Sequence, residues 1–317
     1  MNIYIIGAGN IGCRHIQSTL LLSQPFDVHV VEINPKNLNT ARSIITNNEI
    51  STCSNYYYFD DELPKNKKID LLYLATTASN RFKIFSTIIK TNLVSNIIFE
   101  KVIFQKPEQY FQCQELLTRY DIRSWVNNWP RTTTYFREIK KLLDLEQQLT
   151  MKVLGKDWGL GCNISHYMDL FLFLTETTEI SELSFRLDEL FDSKRSGFKE
   201  FYGTMSISIK QKYFLEISDS SKFPQGLRIS IYNGTKTVRI NENHSKITVK
   251  SNIKEISNKI FDEPLQSMTS HIHMQAIFDN SSCLLPSYDK VYEWHAKTLT
   301  LFNEALGIKK GEVCPIT

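Results

Sequence analysis

The first 32 residues hold the pattern that most constrains how this chain folds. An apolar run at residues 3–6 predicts a buried strand, and residues 13–21 have the apolar spacing of a helix. Residues 26–31 predict a second strand, which ends at Glu32. Between the first strand and the helix lies a glycine-rich turn, made of Gly7, Ala8, Gly9, Asn10, Ile11 and Gly12. Strand, glycine turn, helix, strand and acid in this order are typical of a unit that binds a dinucleotide.

The three glycines of this turn have distinct physical roles in dinucleotide binding. Gly7 lets the chain turn sharply off the strand, Gly9 lets the backbone approach a pyrophosphate, and Gly12 lets the helix pack closely on the sheet. The helix N-terminus offers free N–H groups and the positive end of its dipole to the phosphates. We therefore expect residues 7–12 to form a cofactor-binding loop.

The acid at the end of the second strand indicates which dinucleotide binds. Glu32 is expected to accept hydrogen bonds from the diol of the adenosine ribose, and its charge would repel a 2′-phosphate. The cofactor is therefore expected to be NAD. Lys36 lies nearby in the sequence, so NADP stays possible.

Length and composition limit the classes of protein that this chain can belong to. At 317 residues it is long enough for two domains, and its net charge of +3 without a long basic block argues against a nucleic-acid partner. We expect no membrane partner, because no apolar run approaches the length of a membrane span. Because the predicted first strand follows the first methionine directly, we expect no signal peptide. The cysteines form no CxxC pair and suit reduced thiols in the cytoplasm; they are Cys13, Cys53, Cys113, Cys162, Cys283 and Cys314.

Strands and helices keep alternating after Glu32, as a parallel sheet with crossover helices requires. The pattern predicts strands at residues 56–59, 69–75, 97–101 and 123–127. It also predicts three helices: one at 37–47, one that follows Asn80 and ends at Ile89, and one at 108–120. Residues 1–122 are taken as a Rossmann dinucleotide-binding domain, whose ligand should lie outside the carboxyl ends of the strands. Those strand ends carry Thr76, Thr77, Glu100, Lys101, Asn127 and Asn128.

Residues 123–317 follow a different pattern and predict a second, α+β domain with a mostly antiparallel open sheet. Apolar side chains alternate with polar ones at residues 205–209, 213–217 and 227–231, which favours strands with one buried face. Asn233-Gly234 fits a type I′ hairpin turn. Because the other sheet face is rich in Ser and Thr, it meets either water or another subunit, and we expect a homodimer or homotetramer through this sheet. Helices are predicted at residues 130–145, 163–174 and 287–306.

Three segments resemble the motifs of the Gfo/Idh/MocA oxidoreductases, the superfamily of glucose-fructose oxidoreductase and inositol dehydrogenase. Residues 7–15 are similar to its first motif, Glu100-Lys101-Val102 to its Glu-Lys-Pro signature, and residues 159–169 to its glycine-rich helix start ending in His-x-x-Asp. Residues 158–163 and 314–317 further resemble a branch found with bacterial surface-polysaccharide and flagellin-glycan genes. Two positions depart from the family pattern: Val102 replaces its proline, and Cys162 replaces a frequent aspartate.

The resemblance implies an NAD(P)-dependent oxidoreductase that acts on a CH–OH group of a sugar or nucleotide-sugar. Lys101 would polarise the reacting oxygen, with Thr76, Thr77, Asn80 and Glu100 lining the cofactor cleft. His166 would act as the base, and we expect the positive end of its helix to favour a neutral imidazole. Cys162, His166, Asp169 and Phe173 share one helix face by their spacing. The candidate substrate-binding residues are Arg131, Trp158, Cys162, Asn163 and Asp169.

Other interpretations of the same residues stay open. His166 could be a buried histidine bonded to a backbone carbonyl, and Arg131 could simply begin a helix. Cys162, His166 and Asp169, with His271 and His273, could hold a metal, but three ligands on one helix face rarely converge on an ion, and no metal is expected. Loss of the family's proline and aspartate also allows a non-catalytic, regulatory NAD-binding protein on the same fold.

Overall fold

The computed structural model describes residues 1–47, 55–241, 245–251, 255–260 and 265–316. Cys53 lies outside them, and the five cysteines inside them are free thiols. The chain forms two compact units that are discontinuous in sequence, and the predicted boundary at residue 122 stays a prediction. Unit 1 contains Met1–Phe104, Gln109–Asn127 and Pro264–Asp289, and unit 2 contains Gln105–Glu108, Asn128–Glu263 and Lys290–Thr317.

Strands and helices alternate in the first part of the chain, and strands predominate in the second. The strands are β1 Asn2–Ile6, β2 Asp27–Val31, β3 Tyr56–Asp60, β4 Lys68–Ile69, β5 Leu71–Leu74, β6 Leu93–Val94, β7 Asn96–Phe99, β8 Arg123–Val126, β9 Leu149–Lys156, β10 Glu182–Asp192, β11 Lys199–Ile209, β12 Tyr213–Asp219, β13 Gly226–Asn233, β14 Lys236–Asn241, β15 Lys246–Ser251 and β16 Glu255–Ile260. The helices are α1 Asn10–Thr19, α2 Pro35–Thr46, α3 Ala78–Thr91, α4 Pro107–Arg119, α5 Thr134–Leu142, α6 Leu160–Thr175, α7 Ser270–Asn280 and α8 Tyr292–Ala305. None of the helices in the described ranges has the length and apolar character needed to cross a membrane.

Unit 1 is built on a parallel sheet in the order β3-β2-β1-β5-β7-β8. This order reverses beside β1, which creates the topological switch point where α/β sheets bind ligands. Ile5 on β1 pairs with Val30 on one side and Tyr73 on the other, and all three side chains are buried. The expected Rossmann domain is confirmed.

Unit 2 is built on a sheet whose described strands run β10-β11-β12-β9-β13-β14-β15-β16. All its neighbouring strands are antiparallel except β12 and β9, which are parallel. The alternating side chains predicted to face the core are buried, among them Met205, Leu215 and Ile229. The predicted α+β fold class with a mostly antiparallel sheet is therefore confirmed.

Several element bounds differ from those that the sequence predicted. The strand expected at 69–75 is broken at Asp70, whose carboxylate accepts a hydrogen bond from the Asn2 N–H at 2.9 Å. The helix expected at 130–145 is a 3-10 turn, Trp129–Thr132, followed by α5, because Thr133 is extended between them. The helix expected from residue 163 begins at Leu160, and the one expected from 287 begins at Tyr292.

The predicted type I′ turn at Asn233-Gly234 is wrong in both register and type. Asn233 pairs with Lys236, so the two loop residues are Gly234 and Thr235. Gly234 has a φ of 56°, whereas Thr235 is not among the residues with positive φ. A type I′ turn needs positive φ at both loop residues, and glycine at the first one is the pattern of a type II′ turn.

Candidate functional site

The glycine loop of unit 1 has room for a ligand at one glycine and none at the other two. A Cβ on Gly12 would lie 2.0 Å from the Gly7 carbonyl oxygen, and one on Gly7, whose φ is 97°, would lie 2.9 Å from the Thr76 nitrogen. A Cβ on Gly9 would meet nothing within 4 Å. Helix α1 begins directly after Gly9, and its first turn contains no acidic residue. The loop therefore fits the pyrophosphate of a dinucleotide, with open space in front of a helix N-terminus.

Glu32 is fixed at the edge of this loop by backbone donors. Its Oε2 accepts a hydrogen bond from the Ala8 N–H at 2.8 Å, and its Oε1 accepts one from the Asn34 N–H at 2.8 Å. An ionised carboxylate offers about four acceptor positions, so both oxygens keep the capacity to accept from a ribose diol. The sequence did not indicate that Glu32 also binds the glycine loop.

The segment before α3 lies next to the glycine loop. Gly7 approaches the backbone of Thr76, which brings together two of the predicted cofactor-binding segments. Thr77 precedes the first turn of α3, and its hydroxyl lies 3.0 Å from that of Ser79. Asn80 is exposed on the same turn. Thr77 and Asn80 are thus exposed beside the loop, whereas the Thr76 hydroxyl is buried, and the contact of these residues with a cofactor stays a prediction.

Glu100 is a buried carboxylate within a hydrogen-bonded network. Its Oε1 lies 2.7 Å from His15 Nε2 and accepts a hydrogen bond from Asn127 Nδ2 at 2.5 Å. The other ring nitrogen of His15 lies 2.7 Å from the Ser270 hydroxyl. Burial acts to raise the pKa of Glu100, but the His15 hydrogen bond and charge and the Asn127 amide outweigh it and lower that pKa. Glu100 is therefore an anion that links α1 to the residue after β8, and His15 continues the network to α7.

Arg81 binds the backbone of residues 100–103, which we call the Lys101 loop. The sequence analysis did not identify this role of Arg81. This side chain is 3% exposed, and its guanidinium donates to the carbonyl oxygens of Thr76, Glu100, Val102 and Ile103. The peptide bond between Lys101 and Val102 is cis. Lys101 itself is half-buried and follows β7 directly after Glu100. An arginine on an amphipathic helix is usually solvated, so nothing local in the sequence marked this role.

Two carboxylates hold the start of α6 in unit 2. Asp219 accepts hydrogen bonds from the N–H groups of Asp157, Trp158 and Gly159 at 2.8, 3.1 and 3.0 Å. Glu200 accepts them from Gly161 at 2.5 Å and from Cys162 at 3.4 Å. Burial raises the pKa of Asp219 to about 6 and also raises that of Glu200, in both cases against the backbone hydrogen bonds. Neither carboxylate was among the predicted site residues.

The predicted substrate-binding residues at this helix start are positioned by these contacts. Gly159 adopts a left-handed conformation with φ 79°, and Asn163 donates from Nδ2 to the Trp158 carbonyl at 2.7 Å. The Trp158 indole N–H donates to the Ser218 carbonyl at 3.2 Å, and the Cys162 thiol to the Gly159 carbonyl at 3.4 Å. Trp158, Cys162 and Asn163 thus lie together in one turn.

The helix face that carries His166 also carries a contact between a guanidinium and a carboxyl group. Arg131 donates to Asp169 at 3.1 Å, and its guanidinium lies 4.8 Å from the centre of the Phe173 ring. Burial raises the pKa of Asp169 to about 7, although Arg131 opposes the shift. His166 is 7% exposed, and its ring meets that of Trp129 edge-on, with centroids 6.2 Å apart. The predicted sharing of a helix face is confirmed.

Two of the residues considered for a metal have other partners. Asp169 binds Arg131, and the Ser18 hydroxyl lies 3.2 Å from His271 Nδ1. Within the described ranges, no group of three or more His, Cys, Asp or Glu side chains is arranged to hold a metal ion. Burial lowers the pKa of His273 to about 4, so this imidazole is neutral at physiological pH.

The predicted site residues fall into both compact units. Gly7 to Gly12, Glu32, Thr76, Thr77, Asn80, Glu100 and Lys101 belong to unit 1, and Arg131, Trp158, Cys162, Asn163, His166 and Asp169 belong to unit 2. The structure brings together the members of each set within their own unit. The joint action of Lys101 and His166 stays a prediction.

A parallel sheet with a switch point, an open glycine loop and an acid after β2 define a dinucleotide-binding protein of the Rossmann class. Residues 1–128 match the Gfo/Idh/MocA model, described as an oxidoreductase family with an NAD-binding Rossmann fold. Residues 1–128 therefore carry the NAD-binding domain of the Gfo/Idh/MocA oxidoreductases, in agreement with the resemblance of this segment and with the cofactor that the sequence predicted. No curated protein matches it in sequence.

Solved structures with low sequence identity share the fold over almost the whole chain. The UDP-N-acetylglucosamine 3-dehydrogenase GnnA from Acidithiobacillus ferrooxidans is 13% identical with a TM-score of 0.69, over 97% of this chain and 98% of that one. An Agrobacterium radiobacter oxidoreductase in complex with NAD+, L-tartaric acid and magnesium is 14% identical with a TM-score of 0.72, over 97% and 96%. A super-repressor mutant of Gal80p from Saccharomyces cerevisiae is 12% identical with a TM-score of 0.73, over 98% and 97%. At these identities the likeness establishes the fold.

Proposed function

We propose that this protein is an NAD-dependent oxidoreductase that transfers a hydride between nicotinamide and a carbinol or ketone carbon of a sugar. The substrate is most simply a modified or nucleotide-linked sugar used in bacterial glycan synthesis. The family of residues 1–128 supports the oxidoreductase class. The likeness in fold to a UDP-N-acetylglucosamine 3-dehydrogenase supports the sugar substrate.

Each site residue has its own role in the proposed hydride transfer. In the oxidative direction His166 removes the hydroxyl proton, and the Lys101 ammonium stabilises the negative charge that grows on the oxygen. NAD+, when bound, supplies the acceptor for the hydride at nicotinamide C4. Trp158, Asn163 and Arg131 orient the sugar through stacking and hydrogen bonds. The reverse reduction uses the same groups with the opposite proton movement.

The single observation that carries the proposal is the anchoring of the Lys101 loop. A lysine that merely ended a surface strand would need no buried support. Here Arg81 binds the carbonyls on both sides of Lys101, and the Glu100 carboxylate is bound by His15 and Asn127. Catalytic groups act well only when they are held in place, and rigid support of this kind is what such a group requires.

The decisive experiment measures NADH absorbance with a panel of sugars and nucleotide-linked sugars. Once a substrate is found, Lys101→Ala and His166→Ala should each lower kcat by about 10² to 10⁴ fold, the usual contribution of a proton-transfer or oxyanion-stabilising group. Lys83→Ala, at an exposed position of α3, is the matched control and should leave kcat unchanged. Normal turnover in both site variants would remove the mechanism.

A second candidate is a non-catalytic NAD-binding regulator. It is favoured by Cys162, where dehydrogenases of the family often carry an aspartate, and by the likeness in fold to Gal80p, whose described mutant is a super-repressor. This function would give NAD binding by calorimetry without turnover of any sugar. Restoring the acid with Cys162→Asp would then fail to produce activity.

The open face of the unit 2 sheet supports a proposal about assembly. Lys152, Glu216 and Ser230 on this face are partly exposed, and they alternate with buried side chains. We propose that copies of this chain pair through it as a homodimer or homotetramer. Light scattering on Ser230→Arg should show smaller particles than the wild type, and equal particle sizes would contradict the proposed surface.

A further inference from the structure

The Glu100 carboxylate is buried and is hydrogen-bonded by one ionisable side chain and one neutral side chain. It is 4% exposed, and its Oε1 is shared by His15 Nε2 at 2.7 Å and the neutral Asn127 amide at 2.5 Å. A buried ion costs free energy unless paired, so an anion retained in such a place has either a structural or a functional reason.

The groups around Glu100 favour its charged form and leave the phenol beside it neutral. The charges of His15 and Lys101 and the His15 and Asn127 hydrogen bonds outweigh burial and lower the pKa of Glu100. Arg81 donates to the backbone carbonyl of Glu100 at 2.7 Å. Tyr73 stacks on the His15 ring at 4.1 Å, and burial, together with the Glu100 charge, raises its pKa well above the ordinary value. Glu100 therefore contributes a fixed negative charge at neutral pH.

The position of this charge in the sheet determines what it can act upon. Glu100 follows β7, which lies between β5 and β8 in the half of the sheet beyond the switch point. A dinucleotide bound at the glycine loop after β1 extends across the carboxyl ends of the strands, and its second nucleotide lies over this half. That nucleotide carries the nicotinamide, whose ring is positively charged when oxidised and neutral when reduced.

We infer that Glu100 makes the dinucleotide site prefer NAD+ to NADH by placing a buried negative charge near the nicotinamide. The inference rests on the proposed function, because it requires that the glycine loop hold NAD. A carboxylate attracts the oxidised ring and leaves the neutral reduced ring almost unaffected, and this difference is larger in a buried site than in water. Glu100 thus sets which redox form of the dinucleotide the protein binds more tightly, in addition to supporting the Lys101 loop.

A purely structural role for Glu100 makes a different prediction. Glutamine has nearly the same shape and keeps an oxygen that can accept from His15 and Asn127. If Glu100 only holds the Lys101 loop, then Glu100→Gln should weaken both dinucleotides equally or neither. Only the electrostatic role changes the ratio of the two dissociation constants.

The test is to measure the Kd of NAD+ by calorimetry and of NADH by fluorescence on the full chain. Glu100→Gln should raise the ratio of Kd for NAD+ to Kd for NADH by about tenfold, the effect of roughly 1.4 kcal/mol. Lys101→Met removes a positive charge near Glu100 and should shift the ratio several-fold in the opposite direction. Glu115→Gln, an exposed carboxylate on α4, is the control and should leave the ratio within twofold of the wild type.

The outcomes separate the inference from the function on which it rests. A wild-type chain that binds neither dinucleotide would refute the proposed function. A chain that binds both, with a ratio unmoved by Glu100→Gln, would refute only the inference. If Glu100→Gln does not fold, Glu100→Ala measured in the same way decides, because it removes the same charge.

Discussion

Gly9 and Gly12 belong to one turn, yet an added methyl group would have opposite consequences at the two positions. At Gly9 a Cβ meets nothing within 4 Å, so Gly9→Ala should destabilise the fold by no more than about 1 kcal/mol, the cost of a poorer helix cap. The same methyl occupies the space expected for the pyrophosphate, so NAD affinity should fall at least about tenfold, or roughly 1.4 kcal/mol. Thermal melting and calorimetry on one sample measure both effects.

Gly12→Ala provides the comparison for this result. Its Cβ would lie 2.0 Å from the Gly7 carbonyl oxygen, so the helix must move and stability should fall by about 2 kcal/mol or more. If Gly9→Ala bound NAD as tightly as the wild type, the glycine loop would not be where the pyrophosphate lies.

Asp169 should make stability depend on pH. Its pKa is raised from 3.8 to about 7 by burial, so between about pH 4 and pH 7 the unfolded chain ionises this group and the folded chain does not. The stabilising contribution is therefore complete below about pH 4 and is lost as pH rises through about 7. Relative to Asp169→Asn, the free energy of unfolding of the wild type should fall by on the order of 2–4 kcal/mol as pH rises over this range.

Urea unfolding of both proteins at several pH values measures this difference. Asp169→Asn also weakens the contact with Arg131. This lowers the free energy of unfolding at every pH and does not change how it varies with pH. If the two proteins differ in free energy of unfolding by the same amount at every pH, then Asp169 is ionised in the folded chain throughout the range.

At the level of elements, α3 supports the Lys101 loop through the Arg81 side chain. Arg81 donates to four backbone carbonyls, and Arg81→Met would leave buried acceptors without these donors. A buried polar group without a hydrogen-bond partner costs about 1–3 kcal/mol, so we expect the free energy of unfolding in urea to fall by at least that amount. Lys83→Met on the exposed side of α3 should change stability by less than about 0.5 kcal/mol. Equal stability of the two variants would mean that the carbonyls find other donors.

The elements that sequence analysis identified are those with one clear period of apolar residues. The run at β1 and the alternation at β11 to β13 predicted strands that the structure contains. Strand β9 carries the same alternation at Leu149, Met151 and Val153 and could have been found from it. Helix α7 could not, because its buried face includes Ser270 and His273 and breaks the apolar spacing.

The candidate site was predictable only where a motif is local. The loop at residues 7–12 and the pair Glu100-Lys101 are contiguous, and their glycines, acid and lysine are distinctive. Asp219 holds the Trp158 turn from 61 positions away, and its identity depends on which strand the fold places beside α6. The residues next to Asp219 in the sequence do not predict that role.

At the scale of the molecule, the compact unit around the dinucleotide loop is larger than the segment that carries the family motif. The family match ends at residue 128, yet unit 1 also includes Pro264–Asp289. Met274, Ile277 and Leu285 from that segment are 0, 2 and 4% exposed within the same core cluster as Ile16 and Phe26. The Val126 N–H donates to the Pro286 carbonyl at 3.0 Å, which covers the edge of β8.

A fragment of residues 1–128 should therefore fold poorly without the later segment. Burying three such apolar side chains is worth about 1.5–3 kcal/mol each, which approaches the whole stability of a typical domain, about 5–15 kcal/mol. Joining residues 265–289 to the fragment through a flexible linker should restore a cooperative urea transition and NAD binding. The same fusion with Met274→Ser and Ile277→Ser keeps the length but removes the apolar contacts, and should behave like the fragment alone. If residues 1–128 unfold as cooperatively as the fusion, then residues 265–289 are dispensable, and the dinucleotide domain is the continuous segment that its motif suggests.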